Sequence, residues 1–167
     1  MARLLARLRF DLRQAVDFTR SDSETTRAKV RLLTAAARYF NILAVTEFGG
    51  RSGRERAEGL VEQVVAAAFQ TFGGEDPHPT PFARAAMLLR GITQGHPFTD
   101  GNKRTGYLLA TYYLDRVGYI PRADLNLWAV VTFCRRISAG EIRDIHSIAE
   151  GLAEFFEPRR ETPGRIP

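Results

Sequence analysis

Cysteine is almost missing from this chain of 167 residues: Cys134 stands alone. One thiol makes no internal disulfide, which points to a reducing, cytoplasmic setting, and it leaves no zinc-binding spacing. No apolar run approaches the roughly 20 residues of a membrane span, so no membrane association is expected. Repeats and low-complexity tracts are absent. Ser52 sits in Gly-Arg-Ser-Gly without a nucleophile-elbow context, which excludes a serine hydrolase. Lysine is scarce as well. Of 24 basic residues only Lys29 and Lys103 are Lys.

The rest is an ordinary globular mixture, 44% hydrophobic and 26% charged, long enough for one domain with a sizeable core. The net charge of +5 is uneven. The first sixty residues hold twelve Lys/Arg against seven Asp/Glu, and the remainder balances twelve against twelve. A basic end can attract nucleic acid, anionic lipid or an acidic protein, but its plainest reading is a solvated helix face. Arg3, Arg7 and Arg9 interrupt any secretion-signal stretch.

Periodicity predicts helices throughout. One is expected near 3–19 and a second near 24–44, with Ser21 and Glu24 at capping-box spacing. Gly49, Gly50 and Gly53, flanked by Val45, Thr46 and Phe48, suggest a short extended arm or hairpin. Helices are then expected over 54–72, over 81–94 with Thr80 as cap and Pro81 in the first turn, and over 105–117. That last one is apolar on most sides and so reads as the buried centre. Two more follow, from a cap at Asp124 through Ile137 and from Ile142 to Phe156. Trp128, Phe133, Tyr112 and Tyr113 read as core. His78 reads as solvated, and His146 as a surface partner of its helix. The class is all-α with room for one hairpin.

The chemistry concentrates in Gly95 to Gly106. Pro97 disfavours the helical conformation at His96, so the imidazole is held on a turn. His96 brings the only imidazole of this set, the side chain most often used for proton transfer, hence the natural general base. Phe98 can anchor the loop in the core. Asp100 offers a hard oxygen suited to Mg²⁺. Gly101 lets backbone N–H groups turn toward an anion, and a helix starting at Asn102 adds its own N–H groups and dipole. Lys103 and Arg104 supply two cations. The Gly and Lys spacing is not that of a Walker loop.

The run His96-Pro97-Phe98-Thr99-Asp100-Gly101-Asn102-Lys103-Arg104 resembles the signature loop of the Fic/Doc (Fido) family, H-x-F-x-(D/E)-(G/A)-N-(G/K)-R, at every defining position. The Gly-rich arm at 46–53 and Ser138-Ala139-Gly140-Glu141-Ile142 resemble the Doc (death-on-curing) branch. The resemblance implies a Fido helical fold with a central buried helix and a short β-hairpin flap. It divides the chain into an added helical extension (1–44), a Fido domain (45–157) and a loose tail (158–167).

The resemblance also implies roles. His96 would take a proton from a hydroxyl of a target protein. Asp100 would hold Mg²⁺, and ATP would be the co-substrate. Gly101 and Asn102 would cradle phosphates through backbone and side chain, Lys103 would contact phosphate too, and Arg104 would bind a terminal phosphate. Phe98 would be structural. Thr46, Phe48, Gly49 and Gly50 would belong to the flap that docks an extended target segment. Lys103 marks the Doc-type branch, which transfers the γ-phosphate, where AMP-transferases of the ordinary Fic type have Gly. Phosphotransfer to a protein hydroxyl is therefore expected, with AMP transfer as the alternative. In the Doc family the target is elongation factor Tu. The inhibitory pattern (S/T)-x-x-x-E-(G/N) is not met, because Arg54 and His146 stand four residues before the Glu of the pairs Glu58-Gly59 and Glu150-Gly151. A toxin of this kind would need a separate antitoxin, for which the basic N-terminal helices are a candidate surface. A second alternative is a Fido-shaped module that only binds. Direct contact with nucleic acid is not expected.

Overall fold

A computed structural model describes residues 16–50 and 53–160. The helix expected near 3–19 lies mostly outside these residues, as do positions 51–52 of the arm and 161–167 of the tail. Residues 16–19, which are described, are not helical.

Six helices make up most of the described chain: α1 (Ser23–Phe48), α2 (Leu60–Ala67), α3 (Pro81–Gly95), α4 (Asn102–Arg116), α5 (Leu127–Ser138) and α6 (Ile145–Phe155). Two strands, β1 (Tyr119–Pro121) and β2 (Phe156–Pro158), pair antiparallel. The fold is all-α, as expected, and α1 runs unbroken across residue 44. Among the described residues, no helix is long and apolar enough to cross a membrane.

Local chemistry explains most of the boundaries. Thr80 accepts from the Ala83 N–H with Pro81 in the first turn, as read from the sequence. Elsewhere the cap is a neighbour of the expected one. Asp22, not Ser21, caps α1 through Thr25. Asn126, not Asp124, caps α5. Asp144 caps α6, which starts at Ile145, three residues beyond the expected start. α2 is shorter than the expected 54–72, beginning only at Leu60 and ending at Ala67.

The centre is a pair of helices. α3 packs against α2, α4, α5 and α6, while α4 packs against α1, α3 and α5. Leu88, Leu89 and Ile92 of α3 meet Leu109, Ala110 and Leu114 of α4 in one fully buried cluster. Gly106 makes the approach possible. A Cβ there would lie 2.7 Å from Thr93 Oγ1 and 3.0 Å from the Leu89 carbonyl oxygen.

Phe133 and Tyr113 are in the core and Tyr112 is half-buried, but Trp128 is 80% exposed. Val130, Phe133, Cys134 and Ile137 form the inward stripe of α5, which turns Leu127, Trp128 and Val131 outward. His78 is half-buried rather than solvated, beside the Asp76–Arg84 ion pair, and burial lowers its pKa. His146 is exposed and pairs with Glu150 at 3.1 Å.

Lys29 is only 1% exposed. Its ammonium donates to the carbonyls of Phe18, at 3.0 Å, and of Arg20. The Phe18 ring packs edge-on against Tyr113, and the Arg116 guanidinium lies 5.4 Å from it. These contacts fasten residues 16–20 to α1 and α4. Desolvation pushes the Lys29 pKa down, which is the cost of burying an ammonium among neutral carbonyls.

Candidate functional site

The turn between the two central helices carries the site. α3 ends at Gly95, and His96 is its C-cap in the left-handed conformation, φ 46° and ψ 51°. It is the one non-glycine residue with positive φ among those described. Such a residue is uncommon and marks a constrained place. His96 is exposed, whereas Pro97 and Phe98 behind it are buried, Phe98 to 1%.

Asn102 closes the turn from the inside. Its side-chain oxygen accepts from the Phe98 N–H at 3.0 Å, and its nitrogen donates to the Phe98 carbonyl at 2.9 Å. The side chain is buried and faces the turn. Gly101 caps α4 at φ 76°. Its N–H donates to Asp100 Oδ1 at 2.6 Å. The first N–H groups of a helix lack partners within the helix and favour negative charge. Lys103 and Arg104 are exposed in that first turn, and Arg104 also donates to the Ala44 carbonyl of α1.

The arm begins later than its composition suggested. Thr46 is exposed, and it and the backbone of Phe48 belong to the last turn of α1, with Gly49 as the cap. Gly49 itself is open, and a Cβ there would meet nothing within 4 Å. Gly50 is close to the loop: a Cβ there would lie 2.8 Å from Asp100 Oδ2. The described residues beyond the gap then run antiparallel to the loop. The Arg56 N–H donates to the Pro97 carbonyl at 2.8 Å, and the Thr99 N–H to the Arg54 carbonyl at 2.9 Å. Glu55 and Phe98 form an isolated bridge, and Glu55 pairs with Arg38 of α1 at 3.1 Å. Among the described residues the paired strands lie elsewhere, at β1 and β2.

These pieces enclose a cleft of about 250 Å³ lined by Arg56, His96, Thr99, Asp100, Gly101, Asn102, Lys103 and Arg104. An imidazole, a carboxylate, a helix N-terminus and three cations therefore face one small space. The sequence brings His96 and Asp100 to Arg104 together by continuity. It gave no sign of Arg56, which arrives by backbone pairing. It also hid Asn41, fully buried in α1, whose side chain donates to the Asp100 carbonyl at 2.8 Å and to Thr105 Oγ1 at 3.0 Å. The available signal was a polar residue on the same helix face as Leu33, Ala37 and Ala44.

Comparison with known proteins identifies the family. The model of the Fic/DOC family matches residues 32–114. Toxin Doc of Mycolicibacterium smegmatis is 32% identical over 108 residues, which cover 65% of this chain and 82% of that protein. The chain belongs to the Fic/DOC family. Its likeness to that toxin places it in the Doc branch. In this Fic/DOC chain the family match runs from within α1 into α4 and includes every residue of the cleft.

Among the described residues no cluster of three or more His, Cys, Asp or Glu could cage a metal. Asp100 is the single carboxylate of the cleft. That donor set fits Mg²⁺, which binds through one or two carboxylates together with substrate phosphates, rather than an ion held by protein alone.

Proposed function

We propose that this chain is a toxin-like transferase that moves the γ-phosphate of ATP to a hydroxyl side chain of a target protein in the cytoplasm. The observation that carries the reading is the convergence of His96, Asp100, the α4 N-terminus, Arg56, Lys103 and Arg104 on one cleft. His96, exposed at the mouth, takes the proton of the incoming hydroxyl as its oxygen attacks the γ-phosphorus. The bond from that phosphorus to the β,γ-bridging oxygen breaks, and ADP leaves with the electron pair. Backbone N–H groups at the start of α4 and the three cations hold the phosphate oxygens and stabilise the charge that grows on them. Asp100 would hold Mg²⁺, which supplies charge neutralisation between phosphates when bound.

Lys103 supports γ-phosphate over AMP transfer. The chain otherwise uses Arg, and its other lysine, Lys29, sits where a compact ammonium must fit between two carbonyls. Lysine at 103 is thus in keeping with a point charge close to a phosphate rather than a planar fork.

The test is incubation of the protein with cell lysate and ATP labelled at the α- or the γ-phosphate. Label should reach protein from the γ position, with elongation factor Tu the first band to check. Label from the α position alone would establish AMP transfer instead. His96→Ala should lower the transfer by about 10²–10⁴-fold. Expression should arrest growth, and co-expression of a separate antitoxin protein should relieve the arrest. Growth arrest that persists in His96→Ala would favour a binding module.

A further inference from the structure

Asn41 stands more than fifty residues from the signature loop in sequence, yet its amide touches both ends of the phosphate-facing turn. One hydrogen of Nδ2 goes to the Asp100 carbonyl and the other to Thr105 Oγ1. Between these two anchor points lie Gly101 to Arg104, the backbone that faces the cleft. Asn41 is 0% exposed, so water cannot replace either bond.

The peptide unit 100–101 transmits the effect. Its carbonyl and its N–H point in opposite directions because the unit is planar. Fixing the Asp100 carbonyl on Asn41 therefore fixes where the Gly101 N–H points. That N–H holds Asp100 Oδ1 at 2.6 Å, which turns Oδ2 toward Gly50 of the arm. The amide also meets the arm directly. A Cβ at Gly53 would lie 2.1 Å from Asn41 Oδ1, and that buried oxygen has no hydrogen-bond partner. An unpaired buried acceptor is destabilising, so the fold retains this amide at a cost.

We infer that Asn41 is a positioning residue for phosphate binding: it staples the two ends of the anion-binding turn and aims the Asp100 carboxylate through the 100–101 peptide. This rests on the reading that the cleft binds ATP phosphates. The role requires two donors on one short side chain. Asp has none, and Leu keeps the volume without the bonds. Thr105 needs only its oxygen, so Ser preserves the link and Val removes it.

The test uses the full chain with ATP and Mg²⁺ in titration calorimetry, and amide hydrogen exchange by NMR. Asn41→Leu should weaken ATP binding by about tenfold or more, and Thr105→Val by about fivefold, while Thr105→Ser stays within about twofold. Gly101 exchange should speed up in Asn41→Leu with Leu109 exchange unchanged, a contrast that loss of global stability would not produce. In turnover the change should fall on KM for ATP more than on kcat. Binding within about twofold of the parent in both Asn41→Leu and Thr105→Val overturns the inference. If Asn41→Leu loses protection at Leu109 it has not folded, and equal affinities for Thr105→Val and Thr105→Ser then overturn it. If the parent chain takes no ATP, the phosphate reading falls. The Gly101 contrast then still decides whether Asn41 holds the turn.

Discussion

At the scale of single residues, Lys103 offers the sharpest test of the proposed phosphate transfer. It is exposed at the cleft, one residue from Asn102 and beside Arg104. Removing its ammonium opens space and deletes one charge-assisted contact. Lys103→Gly should therefore lower γ-phosphate transfer by roughly tenfold or more, and α-label should appear on the target. The two labels read in parallel check this, and an unchanged pattern would clear Lys103 of any part in choosing the group transferred. His96 to Arg104 could be read directly because their chemistry is contiguous in the chain. Arg56 and Asn41 could not. One reaches the site through a backbone pairing, and the other through a helix whose neighbour is known only once α4 is placed.

At the scale of elements, local rules worked where one candidate stood alone. Thr80 followed by Pro81 had no rival, and the helix starts there. Where several cap-competent residues lie within a few positions, as at Ser21 to Ser23 or Asp124 to Asn126, packing of the helix face makes the choice. The end of α1 shows the same override. Val45 and Thr46 favour a strand in isolation, but Ala44 is buried and Val45 packs on Gly101, which carries the helix to Phe48. Trp128 faces outward despite its hydrophobicity, which does not say which way a side chain faces.

Two measurements test elements. Hydrogen bonds from the Thr25 backbone and hydroxyl lower the Asp22 pKa from 3.8 to about 2. A carboxylate held down in the folded state adds stability that is complete above 3.8 and lost as the pH falls through about 2. The gap in Tm between the parent and Asp22→Ala should thus be present at neutral pH and close on acidification through that window. Gly106→Ala sets two effects in opposition. Ala improves helix propensity by about 1 kcal/mol, whereas overpacking costs about 1–3 kcal/mol. The Leu89 carbonyl, 3.0 Å from the new methyl, is backbone and yields little, so the variant should unfold at lower denaturant.

At the scale of the whole molecule, the all-helical class followed from periodicity, but the closure did not. β1 and β2 lie more than thirty residues apart and are three residues each. No local pattern announces their pairing, which the Arg159 N–H extends by donating to the Gly118 carbonyl at 2.7 Å. Residues 156–158 accordingly read as helix end and tail. The buried centre was legible as α4 alone because its composition is apolar nearly all round. α3 shares that place because four helices lean on it, which composition does not reveal.

The turn between these two helices has another consequence. Residues 96–101 are a span of six, clamped at one end by the last turn of α3 and at the other by the first of α4. So short a hinge has no slack: to slacken it, the hydrophobic interior must part first. On heating, catalytic output and far-ultraviolet ellipticity should therefore collapse over the same few degrees, and an enzyme that dies well before its helices melt would contradict this.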